Sequence, residues 1–376
     1  MLLKLTKFNL TNQIIKRMSS SFTNEIELKR INQVALITLN RPKQLNSLNL
    51  PMAKQMFTYL DEIQKDDSIK AVVVKGAGET AFCAGGDVKT IREECLNGQQ
   101  NKAVEFFRNE YKLDYKIANF PKPYLALING VTMGGGVGLS VHGKYRIATE
   151  KTLFAMPETA IGFIADVGGT HFLPRLKGNI GLYLALTGNR LKGEDVKRTG
   201  IATHFVKTTN LPAFEQKLYE SNNLSYESID EILSNFSENV EGEYDSHNIA
   251  KIFDAKKSLE QIIESLESDG SEWAKQQLKL LSKMSPTSLK LTMKQLELGA
   301  NLTLKEAFEL EYQLCLRFTS FKSDFLEGVR CVLVDRGDTP KWNPPTIDKV
   351  DEKLVNWFFN PQSSDLKLDL PYNSKL

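Results

Sequence analysis

Short apolar runs alternate with amphipathic segments over the first half of the chain. Val34–Leu39 and Ala71–Val74 are apolar runs of strand length, and Tyr124–Ile128 is a third. Such runs, bounded by Gly, Asn or Pro, are typical of strands buried on both faces. Residues 51–65 begin with Pro51 and place Met, Tyr, Leu and Ile at helical spacing, which predicts a helix. Strands that alternate with helices predict an α/β fold.

The pattern changes near residue 210. From about 210 to 335 the chain is charged and helical in pattern, with few strand signals. Residues 221–271 are rich in Ser, Glu and Asn, and we expect them to form a mobile helical insertion. We therefore predict an N-terminal segment over 1–24, a core carrying the chemistry over 25–210, and a helical C-terminal region over 211–376.

Composition narrows the possible partners. The 376 residues include 48 Lys+Arg and 46 Asp+Glu, so the formal charge is only +2, which argues against a basic nucleic-acid binder. No stretch approaches the roughly 20 apolar residues that a membrane span needs. The four cysteines show no spacing typical of a disulfide framework or a zinc site, and they fit a reduced compartment. We expect neither a nucleic-acid nor a membrane partner.

Both ends of the chain carry possible targeting signals. Residues 1–24 contain no Asp or Glu, but they contain four basic residues and a Ser run. This composition is typical of a mitochondrial presequence, so we expect a location in the mitochondrial matrix. The chain ends Ser374-Lys375-Leu376, which has the form of a peroxisomal signal. Peroxisomal or dual targeting is therefore the alternative.

Two glycine-rich turns are the first candidates for chemistry. Gly85-Gly86 follows one short apolar run, and residues 130–138 follow another and contain the triplet Gly134-Gly135-Gly136. Glycine allows a positive φ and lets a ligand approach the backbone N–H groups closely. Two such turns, each offering one N–H to a common point, would form an oxyanion hole. A phosphate-binding loop is disfavoured, because Tyr145 stands where a Ser or Thr would bind Mg²⁺.

Two acidic residues lie in an apolar, glycine-rich segment downstream of these turns. Glu158 follows Met156-Pro157, and Asp166 follows Ala165 eight positions later. A carboxylate in such surroundings is either paired for structural reasons or used in chemistry. The residues alone leave both interpretations open.

These elements, in this order, resemble the crotonase (enoyl-CoA hydratase/isomerase) superfamily. The resemblance extends from about residue 25 to 370 and includes residues 133–143 and 156–162. Two distant blocks, 284–290 and 324–330 with Pro340-Lys341-Trp342, resemble the branch that hydrolyses CoA thioesters. The resemblance implies a spiral of ββα units followed by a helical C-terminal region, and a possible homo-oligomer.

The resemblance also implies roles for individual residues. The N–H groups of Gly86 and Gly135 would form the oxyanion hole for the thioester oxygen. Glu158 would be the catalytic carboxylate, either as a general base toward water or as a nucleophile. Asp166 would bind a substrate hydroxyl or orient water. Glu110 would contact the substrate, although a solvated helix carboxylate is the expectation from its own sequence context.

The expected ligand is an acyl-CoA. Lys43 lies in a segment that matches the family's loop near the CoA nucleotide, and it could contact a phosphate or simply be solvated. We expect no metal and no cofactor, because the CoA is part of the substrate. His142 is expected to pack in the core, and the remaining three histidines have no metal-ligand spacing. Cys83 is not expected to act as a nucleophile.

Gly138 favours thioester hydrolysis over alkene hydration. The resemblance implies that hydratases carry a second carboxylate at this position, where glycine has no side chain. Asp166 stands where the hydratase pattern has glycine, and Ala165 stands where the hydrolase pattern is expected to have proline. A hydratase or isomerase is the alternative enzyme, and a non-catalytic binding protein with this fold is the third hypothesis.

Overall fold

Two sheets form the core of the computed structural model, which describes residues 25–242, 244, 246–320, 323–360 and 367–370. Both candidate targeting signals lie outside these described residues. The larger sheet has six strands in the order β1-β2-β3-β5-β7-β10, and the smaller has four in the order β4-β6-β8-β9. The strands are Ile26–Ile31 (β1), Val34–Leu39 (β2), Ala71–Gly76 (β3), Ala81–Cys83 (β4), Tyr124–Ile128 (β5), Val131–Met133 (β6), Tyr145–Ala148 (β7), Leu153–Ala155 (β8), Leu191–Lys192 (β9) and His204–Phe205 (β10).

The chain alternates between the two sheets as it advances. Strands β3, β5 and β7 lie side by side and parallel in the large sheet, and each is followed by a short parallel strand in the small sheet. Helices return the chain to the start of the next pair. Among the described strands, the antiparallel pairs are those at two edges, between β1 and β2 and between β8 and β9. This alternation confirms the predicted spiral of ββα units.

The helices extend from the first crossover to the end of the described chain. They are Leu50–Lys65 (α1), Val88–Leu96 (α2), Gln100–Ala118 (α3), Gly135–Val141 (α4), Gly169–Phe172 (α5), Ile180–Thr187 (α6), Glu194–Arg198 (α7), Leu211–Glu220 (α8), Tyr226–Phe236 (α9), His247–Ile252 (α10), Leu259–Asp269 (α11), Glu272–Leu281 (α12), Pro286–Gly299 (α13), Leu304–Phe318 (α14), Asp324–Val329 (α15) and Glu352–Phe359 (α16). Short 3-10 helices lie at Pro42–Gln44, Glu158–Ile161, Leu173–Arg175, Lys177–Asn179 and Ile347–Lys349, and a π-helical turn lies at Arg330–Val334.

Two local expectations need correction. The sequence predicts one helix from Lys89 to Tyr115, but two helices form, and Gly98 at φ +74° lies in the break between them. The sequence predicts a loop over 76–87, but β4 lies inside it. A strand of three residues is too short to show an alternating pattern.

The helical C-terminal region packs closely against the strands and helices before it. From Leu211 onward, every element within the described ranges is a helix. Residues 221–271, expected as a helical insertion, contain helices α9, α10 and α11, and buried Ile229, Ile249 and Ile262 anchor one helix each. Within the described residues, no helix combines the length and apolar character that a membrane crossing needs.

Helix α13 lies in close contact with α5 at Gly299. A Cβ at this position would collide with the backbone oxygen of Thr170 in α5. Glycine is therefore required for the two backbones to lie in contact, and this contact connects the C-terminal region to the loop that follows Asp166.

We predict that Gly299→Ala lowers the free energy of unfolding by about 1–3 kcal/mol, because the added methyl forces the two helices apart. Urea denaturation measures the change. Leu298→Ala, at the adjacent position with a 41% exposed side chain, is the matched control and should stay within about 0.5 kcal/mol of wild type. Equal stability of the two variants would contradict the close-contact explanation.

Candidate active site

The site lies where three short parallel strands end. Strands β4, β6 and β8 pair in parallel, so their carboxyl ends meet at one edge of the small sheet. Gly86 lies three residues after β4, Gly135 two residues after β6, and Glu158 three residues after β8. Carboxyl ends of adjacent parallel strands are the usual place for a binding site in α/β proteins. The register of the small sheet thus brings together residues up to 72 positions apart.

The two glycine turns lie against each other, as the sequence predicts. A Cβ built on Gly135 would lie 3.2 Å from the backbone nitrogen of Gly86. Gly85 at φ +111° and Gly134 at φ +44° give these turns a backbone conformation that other residues rarely adopt. Neither the Gly86 N–H nor the Gly135 N–H donates a hydrogen bond within the described part of the chain. Two neighbouring N–H groups are therefore available to one acceptor oxygen.

Glu158 faces these turns from the first position of its 3-10 helix. Its Oε1 lies 3.1 Å from the position that a Cβ on Gly134 would occupy. Glu158 is only 5% exposed, and its Oε2 has no hydrogen-bond partner among the described residues. An unpartnered, buried carboxylate oxygen beside a pair of available N–H groups is arranged for chemistry rather than for stability.

Asp166 lies on the loop between Glu158 and α5, close enough to Glu158 for its charge to act on that carboxyl group. Its Oδ2 accepts a hydrogen bond of 2.6 Å from the hydroxyl of Tyr111. The next residue, Val167, has φ +52°, an unfavourable conformation for a β-branched side chain. A strained residue of this kind persists only where its surroundings hold it, so the conformation of Asp166 depends on its neighbours.

Three side chains from other elements hold this loop. Glu311 of α14 accepts hydrogen bonds of 2.8 Å from the N–H groups of Gly168 and Thr170. His142, at the end of α4, lies 2.8 Å from the oxygen of Val167. Gln295 of α13 donates a hydrogen bond to the backbone oxygen of Ala165 and another to Thr170. The C-terminal helices therefore fix the backbone on both sides of Asp166.

Helix α3 adds two more carboxyl groups against the glycines of α4. A Cβ on Gly135 would collide with Glu110, and a Cβ on Gly138 would collide with Asp114. Both acids are buried, and neither Glu110 Oε1 nor either oxygen of Asp114 has a hydrogen-bond partner in the described chain. The absence of a side chain at Gly138 gives room to the carboxyl group of Asp114.

Crowding of these acids raises their pKa values. Burial is the largest cause for every member of the cluster, and the negative charge of Asp166 adds to it for Glu110, Asp114, Glu158 and Glu311. Burial raises the pKa of Asp166 to about 7, although the hydrogen bond from Tyr111 opposes the increase. The pKa of Glu311 rises to about 8. Each raised pKa favours the protonated form of its group, and Glu311, with a pKa of about 8, keeps its proton at neutral pH, which limits the repulsion within the cluster.

The structure also shows the environment of each remaining candidate residue. Burial raises the pKa of Cys83 to about 12, so the thiol does not form the reactive thiolate at neutral pH. His142 is packed, as expected, and burial lowers its pKa to about 4. Lys43 is exposed in the 3-10 helix over residues 42–44. Glu110 is only 2% exposed, so it is not a solvated helix carboxylate.

Tyr111, Asp114 and Glu311 were not predicted from the sequence. A signal for Glu311 exists, because it occupies an apolar stripe at helical spacing with Phe308 and Cys315. The four cysteines are free and buried. Among the residues that the structure describes, no group of three or more His, Cys, Asp or Glu side chains is arranged to hold a metal ion.

Comparison with known proteins now identifies the family. The sequence profile described as enoyl-CoA hydratase/isomerase matches residues 34–359. The chain belongs to the enoyl-CoA hydratase/isomerase family. It resembles, with a TM-score of 0.85 and 33% identity, a carnitinyl-CoA dehydratase from Mycobacterium thermoresistibile, over 93% of this chain and 100% of that chain. An enoyl-CoA hydratase from Rhodobacter sphaeroides matches with a TM-score of 0.81 and 32% identity, over 92% and 100%. Both confirm the predicted crotonase-type fold.

Curated relatives distinguish between branches of this family. A protein from Danio rerio named 3-hydroxyisobutyryl-CoA hydrolase, mitochondrial, is 47% identical and covers 93% of this chain and 94% of its own. The protein of the same name from Homo sapiens is 46% identical, with 96% of each chain covered. These names support the predicted resemblance to the hydrolase branch. They also agree with the mitochondrial location expected from residues 1–24.

We predict that the free energy of unfolding depends less on pH in Asp114→Asn than in wild type. The native pKa of Asp114 is raised, so above about pH 4 the unfolded chain releases a proton that the native state keeps. Stability therefore falls as the pH rises toward the native pKa, and the amide removes this contribution. Urea titrations at pH 5 and pH 8.5 measure it, with the exposed Asp67→Asn as control. An equal decrease in the pH dependence of both variants would contradict the raised native pKa of Asp114.

Proposed function

We propose that the chain hydrolyses the thioester of 3-hydroxyisobutyryl-CoA to 3-hydroxyisobutyrate and CoA, a step of valine breakdown. The observation that carries the proposal is the convergence of Glu158 on two adjacent glycine turns with available N–H groups. Relatives that carry this substrate in their names match nearly the whole chain. 3-Hydroxypropionyl-CoA, which lacks only the methyl branch at C2, is a second candidate substrate.

The two glycine turns stabilise the developing charge. The thioester oxygen accepts hydrogen bonds from the N–H groups of Gly86 and Gly135 as it becomes an oxyanion. One such donor typically contributes about 2.7–4 kcal/mol to the stability of the transition state. This stabilisation comes from local backbone dipoles, so it needs neither a metal ion nor a cofactor beyond the CoA of the substrate.

Glu158 performs the proton or covalent chemistry. As a general base it takes a proton from water, the oxygen of which attacks the thioester carbon. As a nucleophile it attacks that carbon directly, and water then opens the resulting anhydride. In both routes the carbon–sulfur bond breaks and the thiolate departs. It takes up the proton that Glu158 removed from water in the first route, and the proton released by the water that opens the anhydride in the second. Burial raises the pKa of Glu158, which makes its carboxylate a stronger base toward water than that of an exposed glutamate.

In this proposal Asp166 selects the acyl chain, and Glu110 contacts the substrate beside Gly135. Asp166 accepts a hydrogen bond from the 3-hydroxyl of the acyl chain, which gives this buried carboxylate a role at the substrate. Glu110 lies against Gly135, and burial favours its protonated form. A neutral carboxyl group at this position does not repel the oxyanion. Lys43 is proposed to contact a phosphate of the CoA moiety from the surface of its loop.

Hydration of an enoyl-CoA is the second candidate, because structural relatives carry that activity in their titles. Gly138 supplies no second carboxylate toward the substrate, and the carboxyl group of Asp114 fills the space beside it. Asp114 belongs to α3 and is completely buried, with its carboxyl group against Gly138. These contacts favour hydrolysis.

We predict that wild type releases free CoA from 3-hydroxyisobutyryl-CoA and does not hydrate crotonyl-CoA. Glu158→Gln should lower kcat by about 10²–10⁴-fold, because the amide can neither accept a proton nor attack. A thiol assay and the absorbance of the enoyl group measure the two activities. The exposed Glu93→Gln is the matched control and should retain wild-type rates. Hydration of crotonyl-CoA without thiol release would overturn the proposal.

We also predict that Asp166→Asn reduces selectivity for a hydroxylated acyl chain. The ratio of kcat/KM for 3-hydroxyisobutyryl-CoA to that for isobutyryl-CoA should fall by about tenfold or more, because a charged acceptor for the hydroxyl is lost. Steady-state kinetics with both substrates provides the ratio. An unchanged ratio, with both rates lowered equally, would instead assign Asp166 to the orientation of water.

A further inference from the structure

Tyr111 lies in the contact between α3 and α14, directly behind Asp166. Its hydroxyl is 2.6 Å from Asp166 Oδ2 and 2.7 Å from the Sγ of Cys315. Tyr111 and Cys315 are both completely buried. The tyrosine ring packs between Phe107 and Phe308, with ring centres 6.1 and 5.8 Å away, so the hydroxyl has little freedom to move.

The three polar groups form an ordered chain of hydrogen bonds. A tyrosine hydroxyl has one proton to donate and can also accept. Burial raises the pKa of Cys315, so the thiol carries a proton that it can donate to the Tyr111 oxygen. The single proton of Tyr111 then points to Asp166. The thiol on α14 thereby fixes the direction of a hydrogen bond made by a residue of α3.

We propose that Tyr111 is a positioning residue, which holds the ionised Asp166 carboxylate toward the substrate, and that Cys315 orients the Tyr111 hydroxyl. This inference rests on the proposed contact between Asp166 and the substrate hydroxyl, and it extends the machinery to two residues that do not touch the substrate. Because donation stabilises the charged form of the carboxylate, Tyr111 also sets the pH at which Asp166 becomes competent.

Other titratable groups also face Asp166 and must be considered. They are Glu110 and Asp114 from α3, Glu158 from its 3-10 helix and Glu311 from α14. His142 contacts the adjacent backbone and, with its pKa lowered to about 4, is neutral throughout the useful range. These acids are common to wild type and to the variants below. A difference in pH dependence between wild type and a variant therefore reflects the loss of the Tyr111 hydroxyl or the Cys315 thiol.

The first test is the pH profile of Tyr111→Phe with 3-hydroxyisobutyryl-CoA. We expect the acidic limb of kcat/KM to move to higher pH by about one unit, since the donor to the carboxylate is lost. The preference over isobutyryl-CoA should fall by about tenfold. Tyr312→Phe is the matched control, because its buried hydroxyl accepts from Arg108 instead of contacting Asp166. An unchanged limb and preference in Tyr111→Phe would overturn the proposal.

The second test reaches Asp166 through Cys315. Cys315→Ala removes the donor and should move the acidic limb upward, whereas Cys315→Ser retains a donor and should keep the wild-type limb. In the Tyr111→Phe background, Cys315→Ala should have no further effect, because the thiol acts only through the hydroxyl. Equal effects with and without that hydroxyl would refute the ordered chain. The comparison of Cys315→Ala with Cys315→Ser also tests the proposal if Tyr111→Phe does not fold.

A third measurement separates this inference from the proposed function. The infrared carboxylate band that is lost in Asp166→Asn gives the titration midpoint of Asp166 without any substrate. If wild type does not hydrolyse the thioester but Tyr111→Phe raises this midpoint, the proposed function fails and the positioning role stands. If wild type hydrolyses the substrate and the midpoint does not move, the positioning role alone is wrong.

Discussion

The parallel alignment of β4, β6 and β8 is the constraint on which the rest of the site depends. Each strand has only three residues, yet the pairings of Thr132 with Phe154 and of Met133 with Ala155 fix where the chain leaves the small sheet. A shift of one residue in this register would direct every following side chain to the other face. The glycines at 134 and 135 can contact Gly86 and Glu158 only because the register holds.

Carboxyl crowding is the second determinant, and it acts against stability. Glu110, Asp114, Glu158, Asp166 and Glu311 are buried within one region, and each is more easily protonated as a result. A cluster designed for stability alone would pair such groups with cations or replace them with apolar side chains. The crowded carboxyl groups of this protein are instead typical of a site where pKa values are adjusted for proton transfer, at some cost in stability.

Sequence reasoning finds the parts of the site that carry local signals. Gly86, Gly135 and Glu158 stand in glycine-rich or apolar contexts that are visible within ten residues. The roles of Tyr111 and Cys315 depend on a contact across 204 positions, which no local pattern encodes. The long strands of the large sheet are predictable because an uninterrupted apolar run of four or more residues is visible in the sequence. Strand β4 has only three residues, so it gives no comparable signal.

The buried bonds from Glu311 to Gly168 and Thr170 span more than 140 positions of the chain. The spiral of strands can assemble from neighbouring segments, but Asp166 acquires its final backbone only when α14 docks. Contacts of this kind form late in folding, because the long stretch of chain between the two partners must first lose conformational freedom. A chain that is synthesised or imported from its N-terminus would therefore gain catalytic competence at the end, and turnover would mark the completion of folding.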